Sequence, residues 1–153
     1  MKALIQRVTS AQVSVEGEAI GKIGHGLVVF IGVANDDTPE DIQYLARKIV
    51  ELRIFDDADG KFNFSAIDVR GELLLVSQFT LLASTRKGRR PGFTDAAPPQ
   101  IAEALFNQFV EQTSASGLKV ETGRFQTHMI VEISNDGPVT IFIDSRERLH
   151  SRS

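Results

Sequence analysis

Leu73-Leu74-Leu75-Val76-Ser77-Gln78-Phe79-Thr80-Leu81 begins as the apolar run of a buried strand and ends in hydroxyl and amide side chains. A second segment, Asn135-Asp136-Gly137-Pro138-Val139-Thr140, sets Gly-Pro between two β-type stretches. A strand ladder normally excludes proline there. A polar cluster at a strand end, together with a backbone feature lacking functional groups, points to a site that works through main-chain geometry as much as through side chains.

Working outward, the first third of the chain reads as strands. Ala3-Leu4-Ile5-Gln6-Arg7-Val8 and Ala11-Gln12-Val13-Ser14-Val15 carry β-type residues, Glu16-Gly17-Glu18 makes a turn, and Gly26–Val33 is apolar and β-branched. Thr38-Pro39-Glu40-Asp41 predicts a helix start, with a capping hydroxyl, proline in the first turn and acids at the positive end of the dipole. Ile42, Leu45, Ile49 and Leu52 then share a face, and Asp56-Asp57-Ala58-Asp59-Gly60 is an acidic turn. It lacks the spaced ligands and terminal Glu of a calcium loop.

Pro98-Pro99 announces a second helix with an apolar stripe of Ile101, Leu105, Phe106 and Phe109, stopped by Gly117. Three strands close the chain at Leu118–Thr122, Thr127–Ile133 and Val139–Asp144. The expectation is one α+β domain over residues 1–145, strand-rich, with antiparallel sheets and two main helices. Residues 146–153 form a polar tail expected to fray.

Composition sets outer limits. At 153 residues, 42% hydrophobic and 24% charged, the chain has the length and balance of a single globular domain with a real core. No apolar stretch reaches membrane-spanning length, and Met1-Lys2-Ala3-Leu4-Ile5-Gln6-Arg7 is interrupted too early for a signal peptide. The absence of cysteine removes thiolate chemistry and fits a reducing cytoplasm. The net charge of −3 argues against nucleic-acid binding by bulk electrostatics. Locally, however, Arg86, Lys87, Arg89 and Arg90 cluster before Pro91-Gly92-Phe93. Such a run is either a solvated loop or a phosphate contact beside a site.

No nucleophile–base pair is evident. Ser77 and Thr80 supply hydroxyls, but His25 sits in a Gly-His-Gly turn and His150 in the tail. Strand parity sets His128 with Ile130 and Glu132, opposite Met129 and Val131. His-with-carboxylate metal spacing is absent, and neither metal nor cofactor is expected. Hydroxyls, an amide, a ring and backbone N–H groups can still hydrolyse an activated ester by stabilising an oxyanion and positioning water.

The two segments, in this order and spacing, resemble the paired signature of the D-aminoacyl-tRNA deacylases, formerly D-tyrosyl-tRNA deacylases. Leu4-Ile5-Gln6-Arg7-Val8, Arg53-Ile54-Phe55, Arg90-Pro91-Gly92-Phe93 and Thr122-Gly123-Arg124-Phe125 extend the resemblance along nearly the whole chain. The tail after Asp144 is longer than the resemblance leads one to expect. The resemblance implies a closed homodimer with active sites at the subunit interface, hydrolysing the ester between a D-amino acid and the terminal adenosine of tRNA. It implies that Ser77, Gln78, Phe79 and Thr80 form the catalytic wall and supply backbone donors. It also implies that the peptide between Gly137 and Pro138 is cis and enters the partner's pocket, and that Arg7 holds this loop. Phe125, Met129 and Asn135 are carried over as supporting residues, and Arg86, Lys87, Arg89 and Arg90 as candidate tRNA contacts.

Such residues suit chiral proofreading in translation quality control. With the amino group and carbonyl fixed, L and D esters differ in where hydrogen and side chain point. A backbone wall that admits only hydrogen rejects the L form by clash, and glycine lets the main chain come that close. Glycyl-tRNA, including glycine mischarged on the alanine tRNA, should pass as well. Each residue also has an ordinary reading: Ser77 and Gln78 cap a strand, Phe79 and Met129 fill core, Gly137-Pro138 turns the chain. Two other function classes use the same residues. One is a non-catalytic RNA-end or nucleotide-binding module; the other is a small-molecule esterase or amidase in which His128 activates Thr80.

Overall fold

Strand β1 (Lys2–Val15) is the spine of the structure, a computed structural model that describes residues 1–152. Sequence patterning divides it in two, but the backbone stays extended throughout. Its first half pairs antiparallel with β3 (Gly26–Gly32) and its second half with β2 (Glu18–Ile23). The remaining elements are α1 (Pro39–Glu51), β4 (Phe55–Asp56), β5 (Phe62–Phe64), α2 (Ala66–Val69), β6 (Glu72–Ser77), α3 (Pro99–Ser114), β7 (Val120–Thr122) and β8 (Ile130–Asp144). Short 3₁₀ turns follow β6 at Phe79–Leu82 and β8 at Ser145–Leu149.

The expected antiparallel sheets are corrected to one mixed sheet in the order β2-β1-β3-β6-β7, with β8 on the free side of β1, plus the small β4–β5 hairpin. β3–β6 and β6–β7 run parallel. Parallel neighbours explain the unbroken apolar runs of β3 and β6, since both faces of these strands are covered. Leu27, Val29, Ile31, Leu73 and Leu75 face the helices and pack with Ile42, Leu45, Ile49, Phe106 and Phe109. Val28, Leu74 and Val76 face the other way, into a smaller core with Val8, Ala11, Val13 and Ile23. β2 curls over to reach β7: a Cβ at Gly21 would lie 2.9 Å from the Thr122 carbonyl oxygen, so only glycine permits this near-closure into a barrel.

Helix α1 begins where expected, with Thr38 and Asp41 in a capping box. Leu52 ends it rather than extending its stripe. The stripe of α3 is also corrected. Ala102, Phe106, Phe109 and Thr113 are buried, whereas Ile101 is exposed. The two terminal strands expected at Thr127–Ile133 and Val139–Asp144 are one strand, β8, antiparallel to β1 with register shifts between Gln6 and Ser10.

The tail does not fray at its start. Ser145 is buried, its hydroxyl donating to Asp41 (2.7 Å) and accepting from the Met1 ammonium (2.8 Å). Arg148 Nε reaches Asp41 at 3.3 Å, and Arg146 pairs with Asp36. Burial would push the Asp41 carboxyl upward, but hydrogen bonds from Ser145, the Thr38 amide, Arg148 and the Thr38 hydroxyl outweigh it and hold the pKa at about 2. Ser153 lies outside the described residues. Among those described, no helix is long and apolar enough to cross a membrane.

Candidate active site

β6 delivers the first segment. Pairing with β3 lasts to Ser77 opposite Ile31, and the Gln78 amide still donates to the Ile31 carbonyl at 2.7 Å. The chain then leaves the sheet in the 3₁₀ turn. Phe79 and Thr80 are exposed, Ser77 and Gln78 half-buried. Among the described residues, the N–H groups of Phe79 and Thr80 take no backbone acceptor, as expected for the first donors of a helical turn. The Gln78 side-chain amide donates to the Thr80 hydroxyl. Among the described residues, that hydroxyl meets no base.

None of the three histidines changes this. His25 packs edge-on against Phe55 with centroids 5.1 Å apart, at the opposite end of the sheet from Ser77. His128 precedes β8 rather than lying in it, yet the expected parity holds: His128, Ile130 and Glu132 are exposed, while Met129, Val131 and Ile133 pack on the smaller core. His150 follows the last 3₁₀ turn. Phe79 stacks edge-to-face on Phe93, centroids 4.9 Å apart. The segment after β7 comes to the same end of the sheet, since Gly123 N–H donates to the Leu75 carbonyl. Within it, Met129 packs on the smaller core and accepts the Arg124 N–H at 3.3 Å, while Phe125 packs on the larger core.

The second segment is built differently. The Gly137–Pro138 peptide is cis, both residues are exposed, and Gly137 has φ +133°. Asn135 spans the loop: its side chain accepts from Val139 N–H (3.0 Å) and donates to the Thr140 hydroxyl (3.0 Å). Buried Arg7 donates through Nε to the Asp136 carbonyl (3.0 Å) and through Nη1 to the Ile54 carbonyl (2.9 Å). Asp56 and Asp136 flank the guanidinium at 3.3 and 3.7 Å, and the Phe62 ring lies 5.8 Å away. The β4–β5 hairpin thus buttresses the loop through one arginine. Sequence reasoning missed this function of Asp56 and Phe62, which no local pattern signals.

The strand register keeps the two segments apart within one chain. Asn135 lies opposite Val8, Val8 opposite Gly26, and Gly26 opposite Glu72, at the start of β6. Ser77 lies at its end. Strand rise and spacing put them roughly 20 Å apart, along and across the sheet. Ser77–Thr80 and Gly123–Met129 share one end; Arg7, Asn135, Gly137 and Pro138 share the other. Two concavities lie elsewhere, one at Arg53, Asn63 and Phe64, another between α1 and the C-terminal turn. One copy carries the two segments apart, both on open surface.

A family model described as D-Tyr-tRNA(Tyr) deacylase matches residues 4–144. The chain is 57% identical over 152 residues to a D-aminoacyl-tRNA deacylase of Dehalococcoides mccartyi, covering 99% of both. It is 56% identical over 147 residues to the Thermosipho africanus protein of that name, covering 96% of this chain and 99% of that one. Among solved structures, a c-Myc DNA unwinding element binding protein is 43% identical with TM-score 0.89, over 94% of this chain and 98% of that one. A probable eukaryotic D-amino acid tRNA deacylase is 17% identical with TM-score 0.83, over 93% and 97%, a likeness of fold.

Proposed function

The chain belongs to the D-Tyr-tRNA(Tyr) deacylase family, and from that premise we propose that it hydrolyses D-aminoacyl-tRNA to D-amino acid and tRNA at a site completed by a second copy. The observation that carries the two-copy reading is the separation of its half-sites. A rigid, exposed Gly-Pro loop has nothing to wall off in its own subunit, and a polar strand end has nothing opposite it. Docking the loop of one copy against the strand end of another supplies both, in a two-fold arrangement where each contact occurs twice. The unpaired edge of β8 and the exposed side chains of Ile130 and Phe142 on that strand offer surface for such an association.

In this reading residues 1–145 carry catalysis, residues 146–153 are a tail, and the enzyme works in the cytoplasm. The unpartnered N–H groups of Phe79 and Thr80 stabilise the oxyanion formed when water adds to the ester carbonyl. Thr80, held by Gln78, lines the site and places water; with no base on its hydroxyl it is not the nucleophile. The partner's Gly-Pro backbone stands where an L side chain would point, so D-aminoacyl and glycyl esters enter and L esters clash.

Purified protein should be given matched D- and L-aminoacyl-tRNAs and glycyl-tRNA. Rapid release of D-amino acid and glycine with the L ester intact supports the reading. Equal release of both enantiomers removes the backbone wall, and binding without release favours the RNA-end-binding alternative.

A further inference from the structure

The chemistry above leaves the segment after the 3₁₀ turn unused. Residues 84–92 form a hairpin closed by reciprocal backbone bonds between Ser84 and Gly92, both 2.8 Å. It carries Arg86, Lys87, Arg89 and Arg90, all exposed, with no acidic residue from Ser84 to Thr94. Among the described residues, none of these four cations joins an ion pair. An unneutralised cluster on a closed hairpin suits a polyanion such as an RNA backbone.

The root of this hairpin is fastened to the site. Phe93 follows Gly92 directly and meets the Phe79 ring at an interplanar angle of 68°. The next residues are strapped to the end of β3, the strand that also aligns Ser77. Asn35 Nδ2 donates to the Thr94 carbonyl (2.7 Å), Asn35 N–H to Asp95 (3.0 Å), and Ala97 N–H to Val33 (3.0 Å). Phe93 belongs to neither core. Its ring contact is with a residue that is itself 55% exposed, so packing into the interior does not explain the pair.

We propose that Phe93 is a positioning residue, coupling phosphate contact at the basic hairpin to the placement of Phe79 at the reaction site. This rests on the tRNA-ester reading above. RNA held by the cations bears on the hairpin, the strap limits its motion, and the edge-to-face contact sets where the Phe79 ring and the adjoining Thr80 amide stand.

Phe93→Leu keeps apolar bulk but removes the ring edge. Because the contact acts on the reacting geometry, kcat on D-aminoacyl-tRNA should fall about three- to tenfold with KM changed less than about twofold. Phe93→Tyr should restore kcat to within about twofold. A second readout needs no turnover. In protein labelled on phenylalanine rings, with the Phe79 signal assigned by Phe79→Leu, uncharged tRNA should shift that signal in the wild type and not in Phe93→Leu. Unchanged kcat in folded Phe93→Leu, or a Phe79 signal that responds to tRNA equally in both proteins, overturns the proposal. A wild type that shows the linked signal but hydrolyses no D-aminoacyl-tRNA keeps the coupling and removes the deacylase reading instead.

Discussion

Replacing Arg7 by lysine tests how one buried side chain holds the Gly-Pro loop. Charge is retained, so the change isolates the fork. The guanidinium satisfies two backbone carbonyls, of Asp136 and Ile54, at 3.0 and 2.9 Å. A single ammonium keeps one of them. The lost charge-assisted bond to a carbonyl in a water-poor place costs about 1.5–3 kcal/mol. Weaker contact with the half-exposed Phe62 ring costs roughly 0.5 kcal/mol more. The sum, about 2–3.5 kcal/mol, should lower the thermal midpoint by about 4–14 °C for a chain of this size. Urea unfolding at fixed protein concentration measures the first quantity, and the ratio of D- to L-ester hydrolysis measures what the loop does. The variant should lose selectivity as well as stability, because the freed carbonyl is that of the residue preceding Gly137. Unfolding within about 0.5 kcal/mol of wild type, with an unchanged D-to-L ratio, would refute the reasoning.

Gly137→Ala places a methyl 2.8 Å from a Val139 methyl and 3.1 Å from Arg7 Nη2, at φ +133°. It should cost about 1–3 kcal/mol and depress D-ester hydrolysis, read by the same two assays. Asp41→Asn tests the polar knot at the chain ends. The folded pKa of about 2 lies below the ordinary 3.8, so the contribution of this carboxylate is complete above pH 4 and disappears as pH falls from 4 towards 2. The variant should lose about 2 kcal/mol at neutral pH and show a shallower acid limb in stability against pH. Thr80→Val should retain measurable hydrolysis, because no base activates its hydroxyl; complete loss in a folded protein would make Thr80 the nucleophile. Neutralising Arg86 and Lys87 together should reduce the log–log salt slope of tRNA binding by about 2.

Much of the architecture was readable where local chemistry decides it. The Thr38-Pro39 start of α1 needed only a capping hydroxyl, a proline and two acids. Strand pairing was not readable, because nothing in Leu73–Val76 or Gly26–Val33 names a partner or a direction. Gly137-Pro138 looks like a break that splits β8 into two strands; opposite it, β1 absorbs the irregularity as register shifts. The α3 stripe failed for a similar reason. Ile101 has the right spacing, but the face is chosen by where α1 lies. In the site, residue types signalled Ser77–Thr80 and Gly137-Pro138 separately, whereas their placement at opposite ends exists only in the register. Phe93 appeared merely as part of a family segment, since an aromatic contact across fourteen residues has no periodicity to betray it.

That placement has a genetic consequence. If each site takes its strand end from one copy and its loop from the other, two defective genes can repair each other. Co-expressing a strand-end variant with a loop variant yields mixed pairs in which both lesions fall in one site and the other is untouched. With random pairing and equal expression, half of the pairs are mixed, so about a quarter of the wild-type sites are intact, although either variant alone has none. The same arithmetic leaves about half of the sites intact when a single lesion is paired with a normal copy, no fewer than gene dosage alone gives, so such a lesion is not dominant.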